Sequence, residues 1–216
     1  MENSILLNAQ NIELVYSYKK LLHKFSYEFK FKQKYALIGP NGIGKTSLIR
    51  ALSGLNSNYT GSISFDKKNS RVYISHTSSF LLEHTVLENI SYYKSLFDKE
   101  TLAPMQLLPL LAKYQLEKKM NDKVKVLSTG QKKRLILFIL EQIRPQLILM
   151  DEPSNGLDNE GFDLLLENMS SLIKNYNSTF IITTHDQKLI DGFENIISLK
   201  DYTGLPTEKY KMKFLD

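Results

Sequence analysis

A chain of 216 residues can bury one sizeable core, with at most a small second lobe, and is too short for two full domains of ordinary size. It has no cysteine, which excludes a disulfide framework and thiolate metal sites, and its four histidines show no ligand spacing, so the cytosol is the natural compartment. The formal charge of +5 and pI near 9.1 raise nucleic acid or an anionic membrane as partners, but the lysines are dispersed and no basic block is long enough for a binding tail. A solvated basic face is the expectation, with no nucleic-acid partner.

The start, "MENSILLNAQ", lacks a basic stretch followed by an apolar one, and the longest apolar runs, such as "LILFIL", fall far short of a bilayer span. Any membrane role must come through a partner. Residues 4 to 35 alternate apolar and polar, which predicts short, half-buried strands of an antiparallel sheet, continued by residues 61 to 65. In "LIGPNGIGKTSLIRAL" the period switches: Tyr35 to Ile38 read as a buried strand, whereas Thr46, Ile49, Leu52 and Leu55 recur at helical spacing. "KKNSR" reads as a polar turn. The segments "YALIG", "RVYIS", "QLILMD" and "TFIITT" are nearly continuous apolar runs, as parallel strands covered on both faces must be, and helical patterns separate them. From about 85 to 145 no strand signal appears; Thr85-Val86-Leu87-Glu88 is a capping box that opens a helix, and Pro104 and Pro109 interrupt the region. The prediction is one domain over 1–216, an α/β core with a helical subdomain inserted at about 85–145. No internal repeat or low-complexity linker occurs.

Gly39, Gly44, Lys45 and Thr46 fit G-x-x-x-x-G-K-[ST], in which bare backbone N–H groups curl round phosphates and the helix N-terminus adds positive potential. Lys45 would meet the β- and γ-phosphates, and the Thr46 hydroxyl would hold Mg²⁺. The bland alternative is a glycine-rich turn with a surface lysine. "QLILMDEPSNGLD" ends a buried strand in two carboxylates. Asp151 can hold Mg²⁺ opposite Thr46, and Glu152 can orient and deprotonate a water for in-line attack; otherwise both cap the next helix. "LSTGQKKRL" places Ser128, Thr129, Gly130 and Gln131 where a helix should begin, either an anion-binding terminus or an ordinary cap. His185 ends "TFIITTHDQ", where a neutral imidazole can meet a phosphate or a water, or be merely structural.

Taken in order, the phosphate loop, Leu-Ser-Thr-Gly-Gln, the apolar strand with Asp-Glu-Pro, Ser-Asn-Gly-Leu-Asp and the strand-terminal histidine resemble the ATP-binding cassette family over nearly the whole chain. More specifically, they resemble the ATPase subunits of ABC transporters. That resemblance implies a P-loop NTPase core of mostly parallel sheet, with an N-terminal antiparallel β subdomain and an inserted helical subdomain. It implies ATP and Mg²⁺ as ligands, with Gly39, Pro40, Asn41, Gly42, Ile43, Gly44, Lys45, Thr46 and Ser47 around the phosphates and Asp151 on the metal. By the same resemblance Glu152 is the general base and His185 the γ-phosphate switch. Ser128 and Gly130, flanked by Thr129 and Gln131, contact the γ-phosphate held by another subunit, and Asp158 couples the two. Tyr16 falls where the family stacks an aromatic on adenine, with Tyr18 as substitute. The implied assembly is a head-to-tail dimer of identical or paralogous cassettes with two ATP molecules between them. It would be cytoplasmic, peripheral on the inner face of the cell membrane, and docked on separate transmembrane permease subunits.

The family's usual glutamine after "RVYIS" is missing: the chain reads Ser75-His76-Thr77. His76 is the positional substitute and Thr77 the next, because "YISHTSSFLLEHTVLENI" has a spacing resembling haem-exporter cassettes. Neither carries an amide's paired donor and acceptor. Thr129 stands for a commoner glycine, and Ile136 and Phe138 occupy helix positions that are usually small, so packing against the helical lobe should change. Two other readings share the cassette. One is a ribosome- or chromosome-acting protein, which would need tandem cassettes or coiled-coil arms; the other is a soluble ATPase of a cytosolic assembly or regulatory complex.

Overall fold

The computed structural model describes residues 4–16, 19–66, 68–75, 80–100 and 102–203, with the side chains of residues 16, 19 and 20 left aside. These residues fall into two compact units, one drawn from Met1–Tyr73, Leu147–Pro153 and Thr179–Asp216, the other from Ile74–Gln146 and Ser154–Ser178.

The first unit carries a three-stranded antiparallel sheet in which β1 (Ile5–Tyr16) lies between β2 (Lys19–Lys30) and β4 (Tyr59–Phe65). The expected short strands are two of twelve residues. Register shifts along β1, and left-handed backbone at Asn11 (φ 50°) and Lys24 (φ 47°), break the alternation into pieces that imitate shorter strands. The second sheet has the order β5 (Arg71–Ile74), β6 (Leu147–Asp151), β7 (Thr179–Thr183), β3 (Lys34–Ile38), β8 (Asn195–Ser198), and its β6–β7, β7–β3 and β3–β8 pairs are parallel. β7 is buried along its length and β6 along all but its last residue, as their apolar runs require. β5, also expected to be buried, is an edge strand with Arg71 exposed and the rest half-buried. Short β8 adds a strand beyond those the sequence marked out. α1 (Lys45–Ser53) follows β3 and buries Leu48, Ile49 and Leu52 in a core shared with Phe25, Phe29, Leu37 and Leu149.

The second unit is helical: α2 (Val86–Leu96), α3 (Pro104–Ala112), α4 (Thr129–Ile143) and α5 (Asn159–Tyr176). The capping box at α2 forms as expected, with Glu88 N donating to Thr85 Oγ1 at 3.1 Å and Thr85 N to Glu88 Oε2 at 2.7 Å. Pro104 does not interrupt a helix but begins one, a position where the missing N–H costs nothing. Pro109 sits inside the same helix; the acceptor it leaves belongs to Met105, 83% exposed, whose carbonyl water can serve. Phe138 of α4 is fully buried and meets Tyr114 edge-on, ring centroids 5.4 Å apart. The Tyr114 hydroxyl donates to the Glu141 carboxylate and accepts from Asn168 Nδ2 at 2.9 Å, so α4 and α5 are joined through one buried phenol. Burial and the Glu141 hydrogen bond both push the Tyr114 pKa up.

Candidate functional site

The candidate residues divide between the units. Gly39 to Ser47, Asp151, Glu152 and His185 lie in the first, Ser128 to Gln131 and Asp158 in the second. Backbone Tyr16 ends β1; its side chain, and Tyr18, His76 and Thr77 altogether, lie outside the described residues.

In the first unit β3 delivers the chain into a loop that reverses at Pro40–Ile43, where Ile43 N donates to Pro40 O at 3.3 Å. Gly42 and Gly44 have φ of 78° and 111°, the left-handed region that a side chain would strain. The N-terminus of α1 carries no acidic residue in its first turn and no side-chain cap, so its positive end faces a loop built of bare backbone. Lys45 is 7% exposed and its Nζ donates to the carbonyls of Gly39 at 2.8 Å and Pro40 at 3.4 Å. Ser47 lines a cavity of about 300 Å³ with Leu14, Val15, Leu21, Arg50 and Leu55.

Beside the loop, Thr46 Oγ1 donates to Asp151 Oδ2 at 2.9 Å across 105 residues of sequence. Thr183 Oγ1 donates to Asp151 Oδ1 at 2.5 Å and accepts from Glu152 N at 3.0 Å, so one buried hydroxyl holds the aspartate carboxylate and the glutamate backbone together. Glu152 has φ 50° and its N–H also donates to Thr183 O at 3.1 Å; that left-handed residue turns the chain out of β6 as the carboxylates emerge. Glu152 Oε2 lies 3.0 Å from His185 Nδ1; the glutamate side chain is 15% exposed and the imidazole 65%. The arrangement gathers an oxygen pair suited to a hard cation, a shielded carboxylate suited to a proton, and an imidazole open to a ligand. Thr183 was not singled out from sequence; its signal was a hydroxyl residue in an otherwise apolar buried strand.

In the second unit Ser128 caps α4 by accepting from Gln131 N at 3.2 Å, while Gln131 Oε1 accepts from Ser128 N at 3.0 Å. Gly130 and Thr129 lie against Gly156: a Cβ built on Gly130 would be 3.9 Å from Gly156 O, and one on Gly156 would be 3.5 Å from the Thr129 methyl. Asp158 caps α5, accepting from Gly161 N at 2.7 Å, and Arg134 Nη2 donates to both of its oxygens at 3.1 Å. The backbone hydrogen bond first, and then the guanidinium, hold the Asp158 carboxyl below its ordinary range. Arg134 is the last polar residue of the run "LSTGQKKRL", and its side chain is only 8% exposed.

A glycine-rich loop on a parallel sheet, with two carboxylates at the end of a neighbouring strand, defines a nucleoside triphosphatase of the phosphate-loop class. A sequence profile described as ABC transporter matches residues 22–155. The lantibiotic transport ATP-binding protein SrtF of Streptococcus pyogenes is 34% identical over 184 residues, spanning 83% of this chain and 80% of that protein. The zinc import ATP-binding protein ZnuC of Ehrlichia chaffeensis is 28% identical over 184 residues, spanning 85% and 75%. In fold, a structure titled as the ATP binding subunit of an ABC transporter superposes with a TM-score of 0.81 at 23% identity, covering 92% of this chain and 87% of that one. The chain belongs to the ABC transporter family, and is an ATP-binding, ATP-hydrolysing subunit of that family.

Proposed function

We propose that this chain powers transport through separate transmembrane subunits, closing as a head-to-tail dimer on two ATP molecules and reopening after hydrolysis. In this reading it works as a peripheral protein on the cytoplasmic face of the membrane. The observation that carries the catalytic part is the convergence of Thr46, Asp151, Thr183, Glu152 and His185 within successive hydrogen-bond and ion-pair distances. Among the described residues no helix is long and apolar enough to cross a membrane, in keeping with partners that supply the pathway.

The Thr46 hydroxyl and Asp151 carboxylate suit Mg²⁺, because both are hard oxygen donors and they meet at 2.9 Å. Mg²⁺ there would neutralise charge on the transferring phosphoryl group. Lys45 and the backbone N–H groups from Asn41 to Ser47 bind the β- and γ-phosphates. Glu152 accepts the proton of a water whose oxygen attacks the γ-phosphorus, while the bond from that phosphorus to the β–γ bridging oxygen breaks and ADP leaves. His185 holds the γ-phosphate side of the site. Ser128, Thr129, Gly130 and Gln131 bring the positive terminus of α4 to the γ-phosphate of a second subunit, and Tyr16 is assigned to adenine stacking by the family resemblance alone.

The test is Glu152→Gln, which keeps a hydrogen-bonding group of the same size but removes the base. Turnover should fall by about 10²-fold or more with ATP binding retained, and ATP should trap a dimer. Wild-type turnover in this variant would overturn the assignment. Recovery of the chain with an integral membrane protein from detergent extracts supports the transport reading; recovery solely in soluble complexes favours a cytosolic machine.

A further inference from the structure

We propose that Arg134 is a positioning residue that makes the N-terminus of α4 and the loop from Ser154 to Asp158 a single rigid face. The proposal rests on the head-to-tail assembly described above, because both segments would be offered there to a second subunit.

A guanidinium that is 8% exposed must find acceptors, since burying a cation without them is costly. Arg134 finds two carboxylates from one short stretch: Asp158, at 3.1 Å to each oxygen, and Glu160, at 3.6 Å. Both carboxylates are exposed, at 68% and 74%, so the buried member comes from α4 and the open members from the start of α5. Around this pair the backbone is prepared for close approach. A Cβ on Gly161 would stand 2.8 Å from Asp158 Oδ1, so a glycine is needed for the carboxylate to sit over the helix terminus and still meet Arg134. Gln115 Nε2 donates to Glu160 Oε2 at 2.9 Å, holding the second acceptor from another side.

The consequence follows from where Arg134 lies on its helix. Ser128 caps α4 and Arg134 is six residues further, roughly 9 Å along the axis at 1.5 Å per residue. At one end of that span Thr129 and Gly130 lie against Gly156; at the other Arg134 holds Asp158. Two contacts a little over one turn apart stop the loop from pivoting on either one. The anion-binding terminus and Asp158 therefore reach a second subunit in a fixed relation. An arginine serves better than a lysine, because its flat group spans both carboxylates and is less strongly hydrated.

The test uses the full chain and three variants, Arg134→Met, which keeps the buried stem, Arg134→Lys, which keeps the charge, and Asp158→Asn, which keeps a capping oxygen but removes the ion pair. Calorimetry with ADP reads the phosphate loop alone, and affinities should stay within about twofold of wild type. ATP turnover should fall about tenfold in Arg134→Met and Asp158→Asn without a matching change in KM, and partly recover in Arg134→Lys. In a Glu152→Gln background, Arg134→Met should abolish the ATP-dependent dimer seen by size exclusion. A dimer and turnover unchanged by Arg134→Met overturn this proposal alone, as does a loss confined to ADP affinity. Failure of Glu152→Gln itself to dimerise with ATP overturns the assembly reading and this proposal together.

Discussion

Removing one oxygen from the helical unit tests how α4 and α5 are held. In Tyr114→Phe the ring keeps its packing on Phe138, and the change is confined to a hydroxyl that donates to Glu141 and accepts from Asn168. Glu141 retains Lys113 at 3.7 Å and partial exposure, and Asn168 Nδ2 retains Leu137 O at 3.0 Å. Two hydrogen bonds at about 1 kcal/mol each give an expected loss of roughly 2 kcal/mol. With a urea dependence near 2 kcal/mol per molar, the unfolding midpoint should drop by about 1 M. The pH dependence is a second check. The folded pKa of Tyr114 lies above its unfolded value of 10.0, because burial and Glu141 disfavour the phenolate. The folded state then keeps the proton after the unfolded chain has released it, and stability falls as pH rises past 10, by about 1.4 kcal/mol per pH unit. Wild type should therefore exceed Tyr114→Phe by a constant margin from pH 7 to 9, and the margin should shrink above pH 10. Equal stability at neutral pH, or a margin indifferent to alkali, would refute the buried network as described.

Lys45→Ala should abolish stabilisation by Mg-ATP in a thermal-shift assay while the fold survives; equal stabilisation of both proteins would place the phosphates elsewhere. If His76 takes over the role of the family's usual glutamine, wild-type turnover should show an acid limb as the imidazole gains its proton. His76→Gln should flatten that limb with activity kept, and His76→Ala should lower activity throughout; three superimposed profiles would exclude the residue from hydrolysis.

What the sequence made legible was local. The phosphate loop, the strand ending in Asp151 and Glu152, the capping box at Thr85 and the helix start at Ser128 each need only a few neighbouring residues, and each stands where its pattern placed it. The less legible features depend on register or distance. Bulges disguised two long strands as several short ones, and β8 was too short for a pattern. Thr183 gains its meaning from Asp151, 32 residues away, and Tyr114 from Asn168, 54 away. Arg134 has the composition of a surface residue and the burial of a core one, because its acceptors come from beyond the next strand.

The ammonium of Lys45 leaves bulk water when the chain folds, since two carbonyls of its own loop receive it. Dehydrating a cation is therefore part of making the protein and not of each encounter with nucleotide. An arriving phosphate competes with neutral oxygens for an ion already stripped and aimed, and exchange of partners replaces extraction from solvent. Affinity at this loop should then follow the charge of the incoming group more closely than its hydration. A triphosphate and a diphosphate would be separated chiefly by how far their negative charge reaches toward Nζ, a preference fixed before any subunit meets its partner.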